Sequence, residues 1–208
     1  FDLIIVPEHD NLRGENVISS KGAIHYITEA EIEKSKPYLA NKITSNKIVT
    51  LILGGPNKYY DFSVEELTKV FNEIKSKFIS LEYQVVVVPS MRTPKTIINL
   101  AAKEFVGHGY VVQNIDRNAY LSSLGLAKNI IVTCDSTSMI SEAATSGKPI
   151  FIAHMKTKKN NYRFKKFFQL FREMGITRNL GEKIEDWNYN YFNEAERIAK
   201  IVKEKWNI

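Results

Sequence analysis

Apolar residues recur along this chain with two different periods, and the alternation between them predicts most of its architecture. Residues 48–53 are apolar on both faces, and residues 84–89 are rich in β-branched side chains. Runs of that length without polar alternation predict strands buried on two sides. Residues 110–112, 130–133 and 150–152 repeat the signature. Between these runs the apolar positions return at helical spacing. Ser63 with Glu66 has the arrangement of a capping box and opens a helix to about Ile79. Thr93-Pro94 opens another, with Ile97, Ile98, Ala101 and Ala102 on its apolar side. A third spans 119–127, and a fourth follows the polar turn Asp135-Ser136-Thr137-Ser138 and ends at Gly147-Lys148-Pro149. Strands alternating with helices imply βαβ crossovers, hence an α/β domain: a Rossmann-like parallel sheet with helices on both faces.

The first forty or so residues join this unit less regularly. Residues 3–6 predict a strand, 16–19 and 22–25 short pieces, and Thr28 with Glu31 a second capping box whose helix stops near Pro37. The predicted organisation is therefore residues 1–41 as the end of a preceding domain plus a linker, 42–190 as the Rossmann-like nucleotide-binding domain, and 191–208 as a C-terminal helix. That helix carries a stripe of Ala195, Ile198, Ala199, Val202 and Trp206 and is expected to cross back toward the first domain. The sequence opens on Phe1 and shows neither the basic region nor the cleavage site of a signal peptide. A missing N-terminal portion is the expectation.

Ligands of such sheets bind outside the carboxyl ends of the strands, near the point where strand order reverses. Three polar or glycine-rich turns fall on such ends: Gly54-Gly55, Ser90-Met91-Arg92 and Asp135 to Ser138. The last combines free backbone N–H groups with the positive end of a helix dipole, which suits a phosphate. Glu142, four residues beyond Ser138, shares its helix face and lies within reach of a ribose diol. Each feature also has a plainer reading. Ser136, Thr137 and Ser138 would cap the helix. Glu142 would be an exposed helical acid, and Gly54-Gly55 a tight turn rather than a close approach to a diphosphate. Arg92 would join a surface ion pair instead of clamping a phosphate.

Composition adds limits. The 208 residues are 44% hydrophobic with a net charge of +6, a modest basic excess that favours anionic partners without choosing among them. No apolar run approaches the roughly 20 residues of a membrane-spanning helix. Cys134 is the one cysteine, so no internal disulfide forms. It reads as a buried thiol and suits a reducing cytoplasm. There is no metal-ligand motif, no G-x-G-x-x-G or Walker lysine pattern and no nucleic-acid module. No metal, no tightly bound cofactor and no nucleic-acid partner are therefore expected. Between Lys156 and Arg172 lie seven cations and, at helical spacing, Phe164, Phe167, Phe168 and Phe171. Such a stripe either packs on the sheet or meets an anionic membrane surface. His9 and His25 fall in segments expected to border a cleft, and either is a candidate general base, with Asp10 beside His9; structural hydrogen bonding is the alternative. His108 and His154 read as peripheral.

The order of short motifs carries one more implication. His9-Asp10, Gly14 to Val17, Gly22 to His25, Gly54-Gly55-Pro56, Arg92-Thr93-Pro94, Asn118-Ala119-Tyr120, Asp135 to Met139, Glu142-Ala143, Gly147-Lys148-Pro149, Arg163 to Phe167, Gly175-Ile176 and Trp187 to Tyr189 follow one another along nearly the whole chain. In this the sequence resembles the bacterial branch of the mitochondrial-fission "elongated mitochondria" family. One departure is Met91, where that family usually carries a further arginine. The resemblance implies the carboxyl-terminal, donor-binding half of a GT-B-like protein with two Rossmann-like domains. It further implies a metal-independent, glycosyltransferase-like activity on a nucleoside diphosphate-sugar, in the cytoplasm or peripherally at the inner membrane. Two other readings stand beside it: a non-catalytic adaptor at a membrane or protein partner, and a nucleotide-sugar epimerase, which shares the architecture.

Overall fold

Two small strands precede the main sheet. In the computed structural model, which describes residues 1–206 except the side chains of His9 and Trp206, β1 (Ile4–Pro7) and β2 (Val17–Ser20) pair in parallel, Ile4 opposite Val17. α1 (Glu29–Ser35) and α2 (Pro37–Ala40) follow. The capping box that opens α1 is complete, with Thr28 Oγ1 accepting from the Glu31 amide and the Glu31 carboxylate accepting from the Thr28 amide. Ile27 and Ile32 join the main hydrophobic core, so this pair of helices packs against the unit that follows it.

That unit is β3 (Ile48–Leu53), α3 (Val64–Lys77), β4 (Gln84–Pro89), α4 (Lys95–Glu104), β5 (Gly109–Val111), α5 (Arg117–Leu126), β6 (Asn129–Thr133), α6 (Thr137–Ala144), β7 (Ile150–Ala153), α7 (Tyr162–Glu173) and β8 (Thr177–Asn179). Six parallel strands lie in the order β5-β4-β3-β6-β7-β8. The chain steps outward from β3 to β5 and then returns to place β6 on the other side of β3. The order reverses between β3 and β6, the place where ligands of such sheets generally bind. β3 and β6 are buried at every position, which is why their sequences are apolar on both faces. β8 adds to the five strands expected from the sequence. Its Thr, Arg and Asn offer no apolar run, and it exists because β7 presents an open edge to pair with. At α3 only half of the expected capping box forms: Ser63 Oγ accepts from the Glu66 amide, while the Glu66 carboxylate turns to Lys69 and the Lys156 amide.

α7 answers the question posed by its phenylalanines. Phe167 and Phe171 are buried, with ring centroids 4.1 Å apart, and Phe164 and Phe168 pack half-buried against the same core. The cations stay outside: Arg163 pairs with Asp10 at 3.3 Å, Arg172 with Glu182 at 2.5 Å, and Lys166 lies over the Tyr162 ring. Of the two readings of the stretch from Lys156 to Arg172, Phe167 and Phe171 follow the one in which the stripe packs on the sheet. Among the described residues no helix is long and apolar enough to cross a membrane.

The final helix, α8 (Glu194–Trp206), runs against β2, where Arg197 Nη2 donates to Ser19 O at 2.7 Å and Glu194 Oε2 accepts from the Lys21 amide at 2.7 Å. Of its stripe, Ile198 is buried, Ala195 and Val202 are half-buried and Ala199 is exposed; the Trp206 side chain is outside the description. Cys134 is a buried thiol whose Sγ accepts from the Met155 amide, and burial pushes its pKa up to about 12.

If the α7 stripe is core, truncating it costs what a core cavity costs. Phe171→Ala should lose about 3–5 kcal/mol of unfolding free energy, and the exposed Lys165→Ala should stay within about 0.5 kcal/mol. Urea denaturation of the two variants checks both values.

Candidate functional site

The three carboxyl-end turns converge on Asp135, one residue beyond the Cys134 that follows β6. Its side chain is fully buried, and both carboxylate oxygens are occupied. Oδ1 accepts from the Thr133 hydroxyl at 2.7 Å; Oδ2 accepts from the Gly55 amide at 2.8 Å and from Arg92 Nη2 at 3.0 Å. The Gly54 amide donates to Thr133 Oγ1 at 2.8 Å, and Asn57 Nδ2 to Asp135 O at 3.1 Å. Arg92 Nη1 reaches back to the carbonyls of Gly55 at 3.1 Å and Pro56 at 3.4 Å. Burial pushes the Asp135 carboxyl above the usual range, opposed by the Gly55 amide, the Thr133 hydroxyl and the Arg92 charge.

This network corrects three expected roles. The Gly54 and Gly55 amides do not face a diphosphate, because Thr133 and Asp135 already accept from them. Both positions need glycine for a different reason: a Cβ at Gly54 would stand 2.1 Å from Asp135 Oδ2, and one at Gly55 2.2 Å from Arg92 O. Asp135 is a buried, filled, acceptor-only group, which braces the corner and has no donor to offer a phosphate. Arg92 is divided: part of its guanidinium ties the turns together, yet the side chain is 44% exposed and its outer edge faces solvent, where an anion could approach.

α6 begins directly after this brace. Ser136 is in extended conformation and its Oγ takes the Met139 amide at 3.5 Å, so one residue performs the capping role. The first intrahelical bond is from the Ile140 amide to Ser136 O. The Thr137 and Ser138 amides precede it and are not needed by the helix. Thr137 is half-buried and Ser138 exposed, and hollows open on both sides. One, about 360 Å³, lies between Thr137, Ser138 and the segment from Lys21 to Ile24. The other, about 470 Å³, lies between Thr137, Tyr59 and the loop of Asn160, Asn161 and Arg163.

Glu142 sits one turn further along α6, half-buried, and lines neither hollow. Its Oε2 accepts from the Tyr120 phenol of α5 at 2.9 Å. Burial, and after it the neighbouring carboxylate, pushes the Tyr120 phenol well above its ordinary pKa. Tyr120 entered the sequence reading only within the motif Asn118-Ala119-Tyr120 and was given no role at the site.

The histidines divide as follows. His25 Nε2 lies 3.3 Å from Ser141 O and 3.5 Å from Thr145 Oγ1, so its ring rests on α6, while its Nδ1 is buried without a partner. Asp10 pairs with Arg163, and the His9 side chain lies outside the described residues. His154, read as peripheral, is exposed just beyond β7, with Nε2 2.8 Å from Asn179 Oδ1. Among the described residues no group of three His, Cys, Asp or Glu is placed to hold a metal ion.

Comparison with known proteins follows the same lines. The family described as Mitochondrial fission ELM1 matches residues 1–206. The chain is similar to uncharacterized protein RP120 of Rickettsia prowazekii, with 29% identity over 210 residues covering 94% of this chain and 57% of that protein. It is also similar to Mitochondrial fission protein ELM1 of Arabidopsis thaliana, with 24% identity over 238 residues covering 98% and 54%. It thus spans about half the length of the curated relatives it matches. Among solved structures it is similar to the UDP-GlcNAc 2-epimerase from Methanocaldococcus jannaschii, with a TM-score of 0.50 and 13% identity, over 95% of this chain and 58% of that one. S. aureus MnaA, in a co-structure with UDP, gives a TM-score of 0.50 and 14% identity over 93% and 56%. At such identity the likeness shows the fold, a Rossmann-like domain of the GT-B kind.

The Asp135 brace has a pH signature. A carboxyl whose folded-state pKa is raised contributes stability that is complete below its unfolded-state pKa and is lost as pH rises through the folded-state value. The wild type should therefore gain stability relative to Asp135→Asn between about pH 7 and about pH 3. Urea denaturation at the two pH values measures the gap, and a gap that shrinks on acidification contradicts the assignment.

Proposed function

The chain belongs to the Mitochondrial fission ELM1 family, and from that premise and the geometry of the α6 corner we propose that it is the donor-binding half of a GT-B-type, metal-independent protein acting on a nucleoside diphosphate-sugar, with glycosyl transfer as the reaction. One observation carries the reading: two amides not used by the helix, those of Thr137 and Ser138, stand at the reversal point of the sheet between two hollows. A diphosphate placed there meets N–H donors and the positive end of the α6 dipole. The exposed edge of Arg92 adds charge, and Glu142, one turn along α6 and outside both hollows, would receive the ribose hydroxyls of a nucleoside running along the helix toward α5. Asp135, Gly54 and Gly55 hold the loops in place without touching the ligand. Catalysis would then consist of electrostatic support for the departing nucleoside diphosphate, with an acceptor base from the complementary domain. The chain spans about half the length of its curated relatives, and on this reading turnover would also require the complementary domain.

The adaptor alternative drew on the α7 stripe, whose phenylalanines are in the core. Epimerisation stays as the competing reaction, since the fold likeness is equally compatible with it; a cytoplasmic setting is part of the proposal and is supported by the lone buried thiol.

Thermal shift with UDP, GDP and UDP-GlcNAc tests the reading. At least one should raise the melting temperature. Glu142→Ala, which removes a charged acceptor, should weaken that ligand by about tenfold or more. No shift with any of the three at millimolar concentration overturns the proposal.

A further inference from the structure

A carboxylate that reads a ribose must be held in one plane, and Glu142 reaches its place on a side chain with three rotatable bonds. Resting on the nucleotide reading above, we infer that Tyr120 is a positioning residue, fixing the Glu142 carboxylate so that it selects ligands carrying a vicinal diol. The Tyr120 ring packs against both hydrophobic clusters of the domain, so the phenol is anchored by its own burial. From there its oxygen stands 2.9 Å from Glu142 Oε2.

The chemistry of the pair favours this role over simple helix pairing. Deprotonation of the phenol is opposed by burial and by the adjacent charge, so the hydroxyl stays a donor across the physiological range and its single hydrogen is committed to Oε2. A carboxylate accepts only. With one bond from Tyr120 it keeps both sites on Oε1 and one on Oε2, and a cis-diol brings two O–H donors to such a pair of oxygens. A lysine or arginine in the place of Tyr120 would neutralise the acid and engage both oxygens. Among the described residues no cation pairs with Glu142. Meanwhile α5 and α6 are each anchored separately in the main core, through Leu121 and Leu124 in one and Ile140 and Ala144 in the other. Each helix is thus held by its own core contacts, without the hydrogen bond.

The test is a ratio. Calorimetry with UDP, GDP, their 2′,3′-dideoxy counterparts and inorganic pyrophosphate measures how strongly each protein prefers the diol. The wild type should prefer the ribonucleotide. Tyr120→Phe should reduce that preference by about two- to tenfold, the cost of freeing one side chain, while pyrophosphate binding stays unchanged. Glu142→Gln leaves Tyr120 in place and should also lower the ratio, which keeps the test open if Tyr120→Phe does not fold. Equal loss for ribo and dideoxy ligands in Tyr120→Phe, or a change in melting temperature alone, overturns the inference and leaves nucleotide binding standing. A wild type that binds neither diphosphate overturns both.

Discussion

One buried charge organises the functional end of this domain. Removing the Asp135 carboxylate from water is costly unless its oxygens are filled, and here they are filled from three separate strand ends. Thr133 belongs to β6, Gly55 follows β3 and Arg92 follows β4. Satisfying one side chain therefore fixes the relative position of three loops that sheet hydrogen bonds alone leave undetermined. The two glycines follow from the same need, because any Cβ would collide with the carboxylate or with the Arg92 backbone. What remains outside the brace, the first amides of α6, stays available because the brace does not need it.

The division between groups engaged in bracing and groups left open runs along α6. Its first turn carries exposed hydroxyls and unneeded amides. Ser141 takes the Ala23 amide on its hydroxyl at 2.9 Å and His25 on its carbonyl, so the segment after β2 is tied to the helix there. Glu142, the next residue, faces α5 and Tyr120. One short helix thus meets the sheet reversal, the N-terminal strap and a neighbouring helix at successive positions, and displacement of any of them would be felt at the others.

How far this was legible in the sequence depended on whether the deciding contact is local. β3, β4 and β6 declared themselves because burial on two faces demands a continuous apolar run, and the Thr28 cap because both of its partners lie within three residues. β8 had no such mark: its pairing depends on the open edge of β7. The α7 stripe was ambiguous for a physical reason, since a helix facing a core and one facing a membrane show the same periodicity; only the packing of the sheet decided it. Gly54 and Gly55 were placed correctly at a strand end but given the wrong duty. A glycine whose amide meets a ligand looks the same in sequence as one whose amide meets a carboxylate some eighty positions away. Tyr120 stood in a motif but without a role for the same reason, its partner lying on another helix.

Charge placement around the corner follows a consistent logic. Arg92 and Asp135 nearly neutralise each other, so the brace itself presents little field to a ligand, and Glu142 is paired with a neutral donor instead of a cation. The positive character of the site then comes chiefly from the α6 dipole and from the outer edge of Arg92, both directed toward solvent. With Met91 standing where a second arginine would add a full charge, attraction for an anion here rests on oriented amides more than on side-chain cations. Oriented amides act at short range and are weakly screened when partly buried, whereas exposed cations attract from a distance and fade with salt. On the proposed reading, a site built this way would discriminate by fit at the helix terminus, which would place the burden of selectivity on the geometry that Asp135 and Tyr120 hold in place.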